Sequence, residues 1–374
     1  MTSPDGITWT IRTSAADNSW LGVTWSSASN LFVAVASTGS DKRVMTSPDG
    51  ITWSLQRTDE FWFGVAWSPS LSLFAAVASS GTGNRVMTSP DGITWLTRVS
   101  AADNDWSSVC WSTDLSLFAA VASSGTGNRV MTSPDGITWT IRTSAADNSW
   151  LGVTWSSASN LFVAVAGSGT GNRVMTSPDG ITWTTRTSAA DNSWNSVISS
   201  TQLVIAVAGS GTGNRVMTSP DGITWTIRTS AADNGWKSVV WSSELNLFVS
   251  VAESGTGNRV MTSGLAVDNV QIEPEWNLVE QDKKIENEHR TKAGGRYVYK
   301  WGSFRKWKFS VEYVNSSFYS IVNSWWGANT QLLFYSSSAA AVYSVQIGND
   351  TKPIGKFNRP YDTLFEGTIE LETY

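Results

Sequence analysis

The nonapeptide Met-Thr-Ser-Pro-Asp-Gly-Ile-Thr-Trp occurs six times in this 374-residue chain, starting at Met1, Met45, Met87, Met131, Met175 and Met217. A truncated start, Met-Thr-Ser-Gly, follows at Met261, and successive starts lie 42 or 44 residues apart. A fixed period of this size marks a chain of stacked supersecondary units, each burying its apolar faces on its neighbours. Copying is close enough that residues 1–36 and 131–166 are identical.

Each repeat reads as four short strands. Residues 20–26, Trp-Leu-Gly-Val-Thr-Trp-Ser, alternate large and small side chains with a β-branched bias. A polar turn leads to Leu-Phe-Val-Ala-Val-Ala (31–36), a continuous apolar run of the kind buried on both faces. Arg-Val-Met-Thr (43–46) is a third strand, Ser-Pro-Asp-Gly (47–50) a tight turn, and residues 51–56 a fourth strand. Four strands in about 44 residues make one blade of a β-propeller. Complete blades begin at Trp20, Trp62, Trp106, Trp150 and Trp194, while the block at Trp236 has only three strands before the sequence changes at Gly264. The segment 7–12 is a fourth-type strand without a blade. Pairing it with the last block predicts an all-β six-bladed propeller over residues 1–264, closed by its N-terminal strand and free of exposed sheet edges at the join.

Composition divides the chain at the same place. All eight Tyr and the single His, His289, lie beyond Gly264, whereas 17 of the 22 Trp lie before it. The net charge is −5 and the basic residues of the repeats are dispersed, which argues against a nucleic-acid partner. Cys110 is the only cysteine, so no disulfide framework exists and the thiol reads as a small buried hydrophobe. The N-terminus opens directly into a repeat without a signal-peptide pattern, and no apolar run approaches the ~18 residues of a membrane-spanning helix. A soluble protein made in a reducing cytoplasm, or released from one without Sec-type export, is expected, with no membrane insertion and no cofactor.

The Ser-Pro-Asp-Gly-Ile-Thr-Trp segments resemble the Asp-box, or BNR repeat, of sialidases and related propellers: Ser3, Asp5, Gly6, Thr8 and Trp9, then Ser47, Asp49, Gly50, Thr52 and Trp53, and so on round the ring. The spacing is one residue tighter than the common Ser-x-Asp-x-Gly-x-Thr-Trp form. The resemblance implies that Asp5, Asp49, Asp91, Asp135, Asp179 and Asp221 are structural and that each box Trp packs between blades. Bonding of Ser and Asp to turn amides accounts for both residues without a substrate. Sialidase chemistry needs a Tyr nucleophile, a partnering Glu and three converging Arg. The repeats have no Tyr, only Glu60, Glu244 and Glu253, and an Arg recurring before each third strand. No soft metal ligands or nucleophile–base pairs occur in them. The Gly-Thr-Gly-Asn runs join strand to strand, so they read as turns rather than phosphate loops. The expectation is a protein that is not an enzyme.

Candidate ligand-binding residues lie on the face opposite the Ser-Pro-Asp-Gly turns, a face they share with the Gly-Thr-Gly-Asn-Arg loops of Asn84, Asn128, Asn172, Asn214 and Asn258. They are Asp17, Asn18 and Trp20; Asp103, Asn104 and Trp106; Asp147, Asn148 and Trp150; Asp191, Asn192 and Trp194; and Asp233, Asn234 and Trp236. The second repeat departs, reading Thr-Asp-Glu-Phe-Trp with Asp59 and Trp62. Acid and amide beside an aromatic ring suit a saccharide, and repeated weak sites gain avidity. The same residues also suit a turn with a Trp packed between blades. Both readings stand at this point.

Beyond residue 264 the sequence reads as a polar linker or arm (265–294) followed by a strand-rich α+β domain (295–374). Residues 305–314 alternate strongly, 316–329 are the best helix candidate, and 331–335, 342–347 and 368–371 are further strands. This order resembles bacteriophage tail-tip and minor tail proteins: a Trp/Phe-rich alternating strand, a short helix ending near Ser-Trp-Trp, then Val-Tyr-Ser-Val-Gln-Ile and a closing Gly-Thr-Ile-Glu-Leu-Glu. The resemblance implies a virion component made in the host cytoplasm. Its C-terminal domain would dock onto other tail proteins in an oligomeric assembly, with the propeller displayed toward cell-surface glycans. The alternative is a free multivalent lectin-like protein.

Overall fold

A computed structural model describes residues 1–56, 58, 60–264, 279–290, 296–314, 332–336, 341–347, 354–356 and 365–373. The chain forms two compact units, Met1–Leu265 and Ala266–Tyr374.

The first unit is a six-bladed β-propeller. Five antiparallel four-stranded sheets span 20–56, 62–98, 106–142, 150–186 and 194–228, and a three-stranded sheet spans 236–264. In the fourth blade, Trp150–Ser156 pairs with Leu161–Ala166, which pairs with Val174–Ser177, which pairs with Thr184–Arg186. A register shift between Trp150 and Gly152 recurs at the start of the other first strands and turns each Trp into the inter-blade layer. The second strands are apolar on both faces because each is covered by two neighbours: Phe118, Ala120 and Ala122 pack toward one blade, Ala119 and Val121 toward the next. Trp106, Trp150, Trp194 and Trp236 are fully buried. Burial of 150–250 Å² by each indole amounts to roughly 4–6 kcal/mol of gross hydrophobic stabilisation. Among the described residues there is no helix long and apolar enough to cross a membrane.

The expected pairing of residues 7–12 with the sixth sheet is not what the chain does. That sheet has three strands, and Thr2 instead exchanges both backbone bonds with Thr10, at 2.9 and 2.8 Å. The Ser-Pro-Asp-Gly turn accounts for this, since it joins third- and fourth-strand positions within a single hairpin. The hairpin lies between the sixth and first blades. In intact blades the turn glycine abuts the preceding blade: a Cβ on Gly136 would lie 2.8 Å from Leu73, and one on Gly180 would lie 2.7 Å from Leu117. Gly6 meets Leu247 and Val249 of the sixth blade in the same way, and Gly50 of the first blade meets Thr2. The hairpin thus holds a place of its own in the ring, occupied only at its third- and fourth-strand positions.

In the second unit, the strands run Val279–Arg290, Arg296–Val314, Phe365–Thr373, Ala341–Ile347 and Leu332–Ser336 in sheet order, with Ile354–Lys356 on Phe365–Thr373. Residues 279–290 were expected in a linker but form an edge strand, paired from Val279↔Lys308 to Arg290↔Arg296. A charge-rich segment reads as an arm in isolation, but edge strands tolerate such a sequence. The helix expected at 316–329 lies outside the described residues.

Candidate functional site

Each Ser-Pro-Asp-Gly turn closes on itself. Asp135 Oδ1 accepts the amides of Ile137 (2.8 Å) and Thr138 (2.7 Å) and the Ser133 hydroxyl (2.9 Å), while the Trp139 indole donates to the Gly136 carbonyl at 3.0 Å. The pattern recurs at Asp5, Asp49, Asp91, Asp179 and Asp221. The amides of Thr8 and Ile7, with the Ser3 hydroxyl, hold the Asp5 carboxyl down at about 2. At Asp49 the Thr52 and Ile51 amides lower it in the same way. At Asp91, Asp135, Asp179 and Asp221, partial burial pushes upward, but the two amides and the serine outweigh it and the net shift is downward. Oδ1 of each carboxylate is engaged in its own turn.

On the opposite face the structure places the Asp-Asn-x-Trp residues in a latch between blades. Asp103, Asp147, Asp191 and Asp233 each accept the amide of a glycine in the preceding blade's Gly-Thr-Gly loop, at 2.6–2.7 Å. The same carboxylates stand 3.5–3.8 Å from Arg85, Arg129, Arg173 and Arg215 of that blade. Asn104, Asn148, Asn192 and Asn234 are buried and donate to Asn128, Asn172, Asn214 and Asn258 in their own blades. Asn18 donates to the Lys42 carbonyl. In the second blade Glu60 replaces the amide and accepts from Asn84 and Ser80.

Saccharide stacking on the loop tryptophans is corrected by this geometry. Trp106, Trp150, Trp194 and Trp236 are 0 % exposed, and their indole N–H groups donate to the carbonyls of Ala102, Ala146, Ala190 and Ala232. Trp20 is half-buried and bonds Ala16. What this face offers to solvent is the tip of each Gly-Thr-Gly loop: nothing lies within 4 Å of where a Cβ would stand on Gly83, Gly127, Gly171, Gly213 or Gly257. No repeat position announces this, since glycine there reads equally as a turn requirement. Among the described residues Asp17 meets no Gly-Thr-Gly amide.

Among the described residues no cluster of His, Cys, Asp and Glu could hold a metal ion. Cys110 is half-buried, and desolvation raises its thiol above the usual range, which disfavours the reactive thiolate. A shallow cavity of about 560 Å³ lies between Thr185–Ala189 of the fourth blade and Ile223–Trp225 of the fifth, lined by hydroxyl and apolar groups and by Arg186.

No protein-family model and no curated protein matches this chain. Solved structures do. Virginiamycin B lyase from Staphylococcus aureus aligns with a TM-score of 0.53 at 9% identity, covering 68% of this chain and 86% of its own. A streptogramin B lyase aligns with a TM-score of 0.50 at 7% identity, covering 64% and 92%. A gluconolactonase from Xanthomonas campestris aligns with a TM-score of 0.49 at 11% identity, covering 63% and 83%. At such identities the likeness is one of fold, and it supports the propeller. It also corrects the expectation that the chain is not an enzyme. Propellers of this shape include lyases, so a ring of similar blades is no argument against catalysis.

Proposed function

We propose that this chain is a tail-type virion component whose propeller is displayed for attachment to a repetitive host surface. The observation that carries the reading is the recurrence of one exposed loop, Gly-Thr-Gly-Asn, around one face of the ring, at a geometry set by the Asp–Gly and Asn–Asn bonds. Identical loops on a rigid ring suit a ligand that repeats, because linked weak contacts multiply into avidity. The Asp-box resemblance of the turns on the other face fits a scaffold whose turns are structural. The resemblance of residues 295–374 to phage tail-tip and minor tail proteins supplies the docking half of the reading. A free lectin that stacks sugars on the loop tryptophans has less support, because those rings are buried.

The test uses the whole chain, fluorescently labelled, on glycans immobilised at graded density and on intact bacterial cells. Attachment predicts retention that rises steeply with ligand density and falls when the exposed loop-tip threonines are substituted, for example Thr126→Asp with Thr170→Asp. Absence of retention at every density and on every envelope tried would remove the attachment reading. Failure to co-purify with tail proteins expressed from the neighbouring genes would remove the virion reading.

A further inference from the structure

The fifth blade departs from the repeat, and its departures converge on one tryptophan. In the first four blades a phenylalanine of the second strand stands beside the tryptophan that follows the Ser-Pro-Asp-Gly turn. Phe118 lies 6.1 Å from Trp139 and Phe162 lies 6.1 Å from Trp183, centroid to centroid. In the fifth blade Val204 takes the phenylalanine's place, opposite Ser219 as Phe162 is opposite Ser177, and its partner Ser199 replaces Trp155. The turn is also seated more loosely. A Cβ on Gly136 or Gly180 would meet a leucine of the preceding blade at 2.8 or 2.7 Å and the phenylalanine of its own blade at 3.4 or 3.3 Å. On Gly222 it would meet Val163 at 3.1 Å and Leu161 at 3.7 Å, and no phenylalanine. Trp225 is half-buried, whereas Trp139 and Trp183 are each 8 % exposed. Trp53 and Trp95 are half-buried too, but each keeps its phenylalanine, at 6.4 and 6.3 Å.

Trp225 forms one wall of the cavity between the fourth and fifth blades, and its indole N–H donates to the Gly222 carbonyl at 3.1 Å, which fixes the ring. The facing wall is the outer strand of the fourth blade. There Thr185 stands opposite Met175, where Ile141 and Ile227 stand opposite Met131 and Met217 in the neighbouring blades. A hydroxyl thus replaces an apolar side chain in the wall. Thr185 and Thr187 spend their hydroxyls on no partner among the described residues, while Thr224 donates to Asp221 Oδ2 at 3.2 Å, at the turn end of the groove. Toward the other end, Arg186 bonds Thr176 Oγ1 through Nε at 2.9 Å and has no carboxylate partner among the described residues. Its terminal guanidinium nitrogens remain for a ligand. The volume, about 560 Å³, falls in the range of roughly 300–1,000 Å³ that small-ligand sites occupy.

We propose that this groove is a binding subsite for a carboxylate-bearing saccharide, a uronic-acid unit of a polymeric glycan. The apolar C–H face of the pyranose ring lies against the indole of Trp225. The hydroxyls of Thr185 and Thr187, each both donor and acceptor, match the sugar hydroxyls. Arg186 pairs with the carboxylate, the group that a planar guanidinium recognises best. Charge sets one orientation: the carboxylate points toward Arg186 and away from Asp221. A neutral sugar leaves the guanidinium unused, and a small anion without a ring leaves the indole uncovered. The subsite goes beyond the attachment reading, and none of its residues is at a Gly-Thr-Gly tip, so each reading stands or falls alone.

The probe is trigalacturonate, with maltotriose as the neutral control of equal length, titrated into the whole chain and read by saturation-transfer NMR. Saturable binding of trigalacturonate is expected, at least tenfold tighter than that of maltotriose and weakened by added salt. Arg186→Gln should weaken it at least tenfold, and Thr185→Ile, which refills the wall, severalfold. Both variants keep the fold, as circular dichroism checks, because the chain already carries Gln56, bonded to Thr46, and Ile141 at these blade positions. Arg142→Gln, the same change one blade earlier, should leave the affinity unchanged, as should Thr126→Asp with Thr170→Asp at the loop tips. Absence of saturable trigalacturonate binding, or equal affinity for maltotriose, would overturn the proposal. So would equal losses in Arg186→Gln and Arg142→Gln, since the sugar would then bind elsewhere.

Discussion

Replacing Val23 and Val153 separately by alanine separates ring position from sequence. The two residues sit in identical strands, Trp20–Ser26 and Trp150–Ser156, so intrinsic strand propensity and the local change in the unfolded chain cancel between them. Removing two methyl groups from a buried valine forfeits about 1.6 kcal/mol of transfer energy, and the cavity raises the cost to about 2–3 kcal/mol. At Val23, a residue already 58 % exposed, the same deletion should cost no more than about 0.7 kcal/mol. With a urea m-value on the order of 3 kcal/mol/M, the unfolding midpoint should fall by about 0.7–1 M for Val153→Ala and by about 0.2 M for Val23→Ala. The assay is urea denaturation of the whole chain, followed by Trp fluorescence. Equal shifts would mean that both valines are covered alike, which would contradict the exposure of Val23.

Three further outcomes follow from the site geometry. The six turn carboxylates are held below their unfolded value of ~3.9, so the stability they confer is present above that pH and is lost as pH falls through the folded values, which for Asp5 is about 2. An acid titration should show destabilisation between pH ~4 and ~2, and the Asp135→Asn variant should lose part of that dependence. Asp147→Ala removes a charged acceptor from the Gly127 amide and should cost about 1.5–3 kcal/mol, whereas Asp17→Ala should stay within about 0.5 kcal/mol, as paired denaturation curves would reveal. Cys110 should resist a thiol-reactive probe in the native protein and react fully in denaturant. Labelling as fast in the native protein as in denaturant would contradict the raised thiol.

The blades were legible because each repeat carries its own punctuation: a Ser-Pro-Asp-Gly turn, a polar turn after the Trp strand, and an unbroken apolar second strand. What the sequence could not reveal was position in the ring. Identical residues at 1–36 and 131–166 carry no sign that one copy has a preceding blade and the other does not. The pairing assigned to residues 7–12 went astray for the same reason. A fourth-type strand looks the same whether it closes the last sheet or folds back on Thr2, and the tight turn favours the local partner. The loop tryptophans were ambiguous in another way. Asp-Asn beside an indole describes a sugar subsite and an inter-blade latch equally well, and only burial separates them. The charged strand Val279–Arg290 read as an arm because an edge strand lacks the alternation of a half-buried one.

The hairpin of residues 1–12 holds its own place between the first and sixth blades. An experimental structure of residues 1–265 at a resolution that shows side chains tests it most directly. The expected result is Thr2 paired with Thr10, Gly6 against Leu247, and Val23 facing solvent. Residues 7–12 hydrogen-bonded along Val260–Gly264 as a fourth strand, with Val23 buried against Val240, would contradict it.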